Sequence, residues 1–317
     1  MEKPNFSLKY VTQTTAIERA NSIIAKSMRD VAPGLFSRWH KLNQAVGGAF
    51  RFGQSIYILG ASGSGKSYIL NMLRDDFASQ INKNFKYDYK ILSFTFEMNA
   101  HDEIIRTYTG RLSKSYSDLM SVENRLTDEE YSNILDMSKT VDTDKIYYVE
   151  TAGNRTQILN TVEAFHAQFP DSKLVITLDH TLLVEYLDES SETELVSAFS
   201  KIALYIRKKY NALVIVLGQL NDNIESPDRI KTPSQHYPKK GDIFSSRQVY
   251  QIADTVIIIN RPERLGIEYY GTSKFPTKDL VAMHILKSRH YGKEGMIRFK
   301  QGFDKGTLYY PYDMEIT

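Results

Sequence analysis

Residues 60–67 read Gly60-Ala61-Ser62-Gly63-Ser64-Gly65-Lys66-Ser67 and match the pattern G-x-x-x-x-G-K-S/T at every fixed position. The flanks match as well. Upstream, Ser55-Ile56-Tyr57-Ile58-Leu59 is an apolar, β-rich run. Downstream, Tyr68-Ile69-Leu70-Asn71-Met72-Leu73 suits a helix. Strand, glycine loop and helix follow in the order a phosphate cradle requires. Glycines let the backbone wrap around phosphate oxygens with successive N–H groups turned inward. The helix N-terminus adds partial positive charge. In such a loop Lys66 neutralises terminal phosphates and the Ser67 hydroxyl holds Mg2+. The stretch therefore points to a nucleoside triphosphate site.

The rest of the chain repeats the strand–helix alternation. Apolar, β-rich runs fall at 55–59, 90–96, 145–149, 173–178, 213–217, 255–259 and 280–286. Helical segments are expected near 66–82, 100–113, 127–139, 155–169 and 191–210. This alternation predicts an α/β fold with a mainly parallel sheet covered by helices. The unbroken run Leu174-Val175-Ile176-Thr177-Leu178 suits a central strand buried on both faces. After 255 helices become scarce, which predicts hairpins extending one sheet edge.

Composition bounds the reading. The 317 residues hold 42% hydrophobic residues, enough for a sizeable core, and a net charge of only +2. Any nucleic-acid site must then be a local patch or a ring built from several copies. There is no cysteine, so disulfides and thiolate metal sites are excluded. No apolar run approaches transmembrane length, and Met1-Glu2-Lys3-Pro4-Asn5 lacks a signal-peptide core. The expectation is a cytoplasmic protein without membrane contact.

Residues 1–13 read as an extended arm. From Thr14, Ile17, Ala20, Ile24 and Met28 make one apolar helical stripe that ends before Pro33-Gly34. The stripe covers its own domain or docks on a neighbouring subunit. The stretch from Asn221 to Arg247 is long and Pro-punctuated. It carries Arg229, Lys231, Lys239, Lys240 and Arg247 beside Asp222, Glu225, Asp228 and Asp242. It reads as a solvated loop or as one that faces DNA.

Triphosphate hydrolysis also needs a metal anchor, an oriented water and a γ-phosphate sensor. In open α/β sheets these belong at the carboxyl ends of strands. Asp179 ends one apolar run, where a carboxylate holds Mg2+ or merely caps a turn. Glu97 ends another, as a base for water or as a first-turn glutamate. Gln219 follows a third, as a phosphate sensor or an ordinary polar loop residue. Arg261 follows a fourth, as a site cation or an exposed arginine. Lys287 and Arg289 are two apart on an extended strand and share a face. They either protect a sheet edge or reach a neighbouring subunit's γ-phosphate. His290 has no evident ligand partner and reads as structural.

Together these residues resemble the DnaB-like replicative helicases, RecA-core ATPases that form hexameric rings. Pro33-Gly34-Leu35-Phe36 with Trp39, then Gly47-Gly48 and Phe52-Gly53-Gln54, is similar to that family's entry to the core. Ser93-Phe94-Thr95-Phe96-Glu97-Met98 resembles F-S-L-E-M, whose glutamate is the catalytic base. Leu178-Asp179-His180 resembles the Walker B motif. Leu217-Gly218-Gln219-Leu220-Asn221 resembles S-Q-L-N. Gln251-Ile252-Ala253-Asp254 with Arg261-Pro262-Glu263 is similar to Q-x-A-D…R-x-E. Lys287-Ser288-Arg289-His290, with Gly292 and Gly295, resembles the K-x-R-x-G…G hairpin that reaches a neighbour's nucleotide. The likeness runs from about Val31 to Asp313.

The resemblance implies a RecA-like P-loop core over 31–317, with a C-terminal β-hairpin extension and an N-terminal linker helix within 1–30. It implies an ATP- and Mg2+-dependent helicase translocating on single-stranded DNA as a homo-oligomer, a hexamer. Primase, polymerase or a helicase loader are the implied partners. Lys66, Glu97 and Gln219 act in cis, and Lys287 and Arg289 in trans. Three residues depart from the pattern: His180 for tyrosine, Gly218 for serine and Asp222 for a common arginine. The first thirty residues offer only an arm and one helix where the family carries a helical domain, which suggests a viral or mobile-element replication protein. A RecA-like recombinase and a non-catalytic ring scaffold or loader are the alternative readings.

Overall fold

The computed structural model describes residues 11–27, 34–79, 82, 85–112, 114–123, 125–140, 145–232, 236–244, 246–289, 294–302 and 310–311. Most of the extended arm, Met28 of the apolar stripe, Pro33, His290 and Gly292 fall outside the described residues.

The first apolar stripe is helical, as its spacing predicts: α1 spans Gln13–Ser27. Its Ile17, Ile23 and Ile24 are each more than half exposed, at 53%, 60% and 58%. No residue from 11 to 25 is buried. The sequence left open whether this stripe packs on its own domain; among the described residues it does not. The short α2 (His40–Ala45) follows, and the segment around it seats Leu35, Trp39 and Leu42 in the core.

The phosphate-loop unit folds as read, with β1 (Ser55–Gly60) leading into α3 (Lys66–Ala78). Next come β2 (Tyr89–Thr95), α4 (Ala100–Leu112), α5 (Tyr116–Met120), α6 (Asp128–Thr140) and β3 (Ile146–Val149). Asn154 caps α7 (Arg155–Gln168) with a full capping box, its side chain accepting from Thr156 and Gln157 N–H groups. β4 (Lys173–Asp179) then leads to α8 (Glu192–Tyr210), capped by Ser191. β5 (Leu213–Gln219) is followed by the stretch that lacked periodicity.

That stretch is not featureless. A 3-10 turn covers Asp222–Glu225, α9 covers Pro227–Ile230, and α10 (Ser246–Ile252) closes it. Tertiary contacts hold it. Arg229 pairs with Asp242 and donates to the Tyr237 carbonyl. Arg229 is thus an internal clasp, unavailable as a surface cation. β6 (Thr255–Asn260), the small hairpin β7 (Tyr269–Tyr270) and β8 (Phe275–Pro276), then β9 (Leu280–Ser288), β10 (Gly295–Lys300) and β11 (Tyr310–Pro311) complete the described chain.

The main sheet has the order β11-β10-β9-β6-β1-β5-β4-β2-β3. From β6 to β3 every pairing is parallel, and β9, β10 and β11 extend one edge antiparallel, as the strand-rich C-terminal part predicts. Strand alternation sends Ile56 and Ile58 to one face, where α2 and α3 cover them. Tyr57 and Leu59 go to the other, beneath α7, α8 and α10. The β4 run is buried on both faces from Leu174 onward.

Candidate active site

Register places the chemistry. Gly60 pairs with Gln219 across β1 and β5, and Thr95 pairs with Asp179 across β2 and β4. The residues that end or follow β6, β1, β5, β4 and β2 therefore share one rim of the sheet. A cleft of about 290 Å3 opens there, lined by Lys66, Ser67, Glu97, His180, Gln219 and Arg261 among others.

The loop backbone is shaped for close approach. Gly63 and Gly65 take positive φ values of 67° and 98°, which side chains disfavour. A Cβ on Gly63 would also lie 2.1 Å from Arg264 Nη1. Gly65 is the N-cap of α3, so the free N–H groups of that helix face the cleft. Lys66 is buried, and its Nζ donates to the Gly60 and Ala61 carbonyls at 2.9 and 2.8 Å. Burial pulls its pKa down to about 8, against the opposing pull of Asp179 and Glu97.

Asp179 is 2% exposed. Burial raises its pKa, a hydrogen bond from the Ser67 hydroxyl opposes the rise, and Glu97 adds to it. Its Oδ1 is buried with no hydrogen-bond partner among the described residues. A buried carboxylate oxygen left bare beside a serine hydroxyl costs free energy unless something fills its shell. This fits a divalent cation held by Ser67 and Asp179. Glu97 is exposed at the cleft mouth, where a water can reach it. His180 is partly buried, which lowers its pKa and favours the neutral ring.

Two cations in the rim were not read from the sequence. Arg264 Nη1 donates to the Gly63 carbonyl at 2.7 Å, beside Arg261 Nη1 at 3.2 Å. Arg106 lines the cleft from α4 and lies 4.7 Å from the Tyr68 ring centre. Arg106 follows Glu97 by nine residues, a spacing a helix start can bring round to the same cleft, and that was the available signal. Behind the cleft, Arg74 and Glu103 have side chains that are each 1% exposed and form an ion pair at 2.7 Å. Arg74 also donates to the Ser93 hydroxyl. This pair ties α3 to α4, hence the phosphate loop to the segment after Glu97.

Lys287 and Arg289 are not in this cleft. They lie where β9 pairs with the start of β6, since Ser288 is opposite Thr255. The six residues of β6, at about 3.3 Å each, set the two ends roughly 20 Å apart. Arg289 contacts Asp254 at 3.3 Å and the Gln251 carbonyl at 2.9 Å, with 42% of its side chain exposed. Lys287 donates to the Tyr250 carbonyl. Asp254 also receives Arg207 and the Ser55 N–H.

The model of the DnaB-like helicase C terminal domain matches residues 34–307. Among solved structures, one described as an ATPase domain superposes with a TM-score of 0.77 at 16% identity, covering 95% of this chain and 99% of that one. A second, described as a DnaB-like replicative helicase and its interactions with primase, gives 0.74 at 16% identity, covering 95% of this chain and 67% of that one. No curated protein matches in sequence. At such identity the structures speak for the fold alone, a RecA-like α/β core, while the family model spans most of the chain. With the loop, the rim carboxylates and the sheet order in agreement, this chain belongs to the DnaB-like helicase C-terminal domain family.

Proposed function

We propose that the chain is an ATP-dependent DNA helicase that translocates on single-stranded DNA as a homo-oligomeric ring, a hexamer. One observation carries this reading. Lys66, Ser67, Glu97, Asp179 and Gln219 converge at one end of the sheet, while Lys287 and the half-exposed Arg289 sit at the other. A subunit cannot bring its own Lys287 and Arg289 to its own cleft, but a second copy can.

In this reading the loop 60–67 cradles the ATP phosphates with its N–H groups. Lys66 exchanges its two carbonyl partners for phosphate oxygens. Ser67 and Asp179 would hold Mg2+, which would supply charge neutralisation to the triphosphate. Glu97 takes a proton from the attacking water, and Gln219 aligns that water with the γ-phosphate. Arg261 contacts the nucleotide from the far wall of the loop, and Arg106 and Arg264 add positive potential. Lys287 and Arg289 of an adjoining copy stabilise charge on the transferred phosphoryl group. Gln219 leads directly into 221–247, so nucleotide state reaches the segment proposed to meet DNA. Residues 1–30 act as a separate arm and linker helix, with α1 docked on a neighbouring subunit, and 31–317 as the motor. Primase, polymerase or a loader are the proposed partners, in a cytoplasmic setting. No described helix is long and apolar enough to cross a membrane.

The test is unwinding of a forked DNA duplex with Mg2+ and ATP, comparing the natural sequence with Lys66→Ala and Glu97→Gln. Unwinding by the natural sequence alone is expected. Unwinding that survives either substitution would remove the assigned roles. ATP hydrolysis without any unwinding would favour the recombinase reading.

A further inference from the structure

Tyr250 stands in the last turn of α10, and its surroundings join two parts of the molecule. Its hydroxyl donates to the Leu286 carbonyl at 3.0 Å. The Lys287 ammonium lies 5.0 Å from its ring centre and donates to its backbone carbonyl. The Lys240 ammonium lies 4.8 Å from the same ring centre. The next residue, Gln251, accepts from Arg289. One turn of α10 thus holds both cations assigned a role in trans, and its ring also holds an exposed lysine of the 221–247 stretch.

A tyrosine face attracts a cation, but two ammonium groups at one ring repel each other. Lys240 is among the charges that, after burial and Arg289, lower the Lys287 pKa. A phosphate of a nucleic-acid strand is a stronger partner for Lys240 than a shared ring. When Lys240 turns to such a phosphate, the ring is left to Lys287 alone.

We infer that Tyr250 is a positioning residue that couples single-stranded DNA contact at Lys240 to the placement of Lys287 and Arg289, an inference that rests on the trans role proposed above. Without DNA the two lysines share the ring, which weakens its hold on Lys287 although the Tyr250 carbonyl still accepts from that ammonium. With DNA bound, the ring is left to Lys287, and ring and carbonyls together fix Lys287 and Arg289 for the adjoining cleft. No bond forms or breaks. Only side-chain positions change.

The test is steady-state ATP turnover of the full chain over a titration of oligo(dT), with oligo(dT) binding followed by fluorescence anisotropy. Tyr250→Leu is expected to lose the oligo(dT)-stimulated part of kcat, by about tenfold or more, with little change in KM for ATP. Tyr250→Phe keeps the ring and is expected to keep stimulation. Lys240→Ala, an exposed change that leaves the fold intact, is expected to raise turnover without DNA, because the competing charge is gone. A purely structural role for Tyr250 gives no such rise. Full stimulation of Tyr250→Leu, loss of it in Tyr250→Phe, unchanged DNA-free turnover in Lys240→Ala, or natural-sequence turnover indifferent to oligo(dT) would each overturn the coupling. Arg289→Ala separates the two levels. Normal turnover by that variant overturns the trans role itself, whereas an inactive Arg289→Ala beside a fully stimulated Tyr250→Leu overturns only the coupling.

Discussion

At the carboxyl rim of the parallel sheet, charged groups are buried with too few partners. Lys66 has only the loop's own carbonyls, and Asp179 Oδ1 and Ser64 Oγ have no hydrogen-bond partner among the described residues. At the amino rim, Asp254 is equally buried but receives Arg207, Arg289 and the Ser55 N–H. Both ends use one carboxylate and nearby cations. Asp254 is satisfied within the chain, whereas Asp179 keeps an oxygen without a hydrogen-bond partner among the described residues. Burial alone therefore does not distinguish these two carboxylates, whereas their counts of satisfied partners do.

The contrast breaks most visibly through turnover. Glu97→Gln should lower ATP hydrolysis by about 10^4-fold while leaving the urea midpoint of the ligand-free chain unchanged. A large drop in that midpoint would mean that the carboxyl rim also holds the fold. The reverse is expected of the amino rim. Asp254→Asn leaves the Arg207 guanidinium buried without its counter-charge and should cost about 3 kcal/mol in equilibrium urea unfolding. An unchanged midpoint would show that the cluster contributes nothing.

A third change sharpens the boundary of the ligand-dependent region. Just behind the cleft, Asn260 Nδ2 donates to Tyr270 Oη, and the Tyr270 hydroxyl reaches His284 Nε2. His284 is buried, and burial first, then His236, holds its pKa down to about 3. The folded pKa lies below the ordinary value near 6.5, so the unfolded chain binds the extra proton. Stability from neutral His284 is present above about pH 6.5 and is lost as pH falls toward 3, at up to about 1.4 kcal/mol per pH unit. His284→Gln should flatten that part of the urea midpoint against pH. An identical profile would place the acid sensitivity elsewhere. The smallest effect belongs to Gly63→Ala. Left-handed backbone and the Arg264 contact should together cost about 1–2 kcal/mol, read as a raised KM for ATP, and an unchanged KM would show that the loop yields.

Local pattern carried the fold and the rim but not the rest. Each strand of the parallel core was legible because buried strands such as β4 are continuous apolar runs. The carboxyl-rim residues were legible because each follows its strand directly. The 221–247 stretch hid its order because the Arg229–Asp242 clasp and the His236 contact with the Ile224 carbonyl are tertiary. Helix α10 was missed because it is only seven residues long, too short for Val249 and Tyr250, which pack on the core, to set up a helical period. Arg264 and Arg106 were missed because their roles depend on where other elements bring the loop. The position of Lys287 and Arg289 followed only from strand order, which periodicity does not encode.

The solvent-covered helix α1 has a consequence for the protein as a solute. A fifteen-residue helix whose isoleucines are more than half exposed among the described residues is marginal in water, since its nucleation is costly. Its folding is then linked by mass action to whatever covers Ile17, Ile23 and Ile24. If that cover is another copy, the helical signal of a dilute sample should be weaker than that of a concentrated one. Helix α1 would act as a gauge of the chain's own concentration.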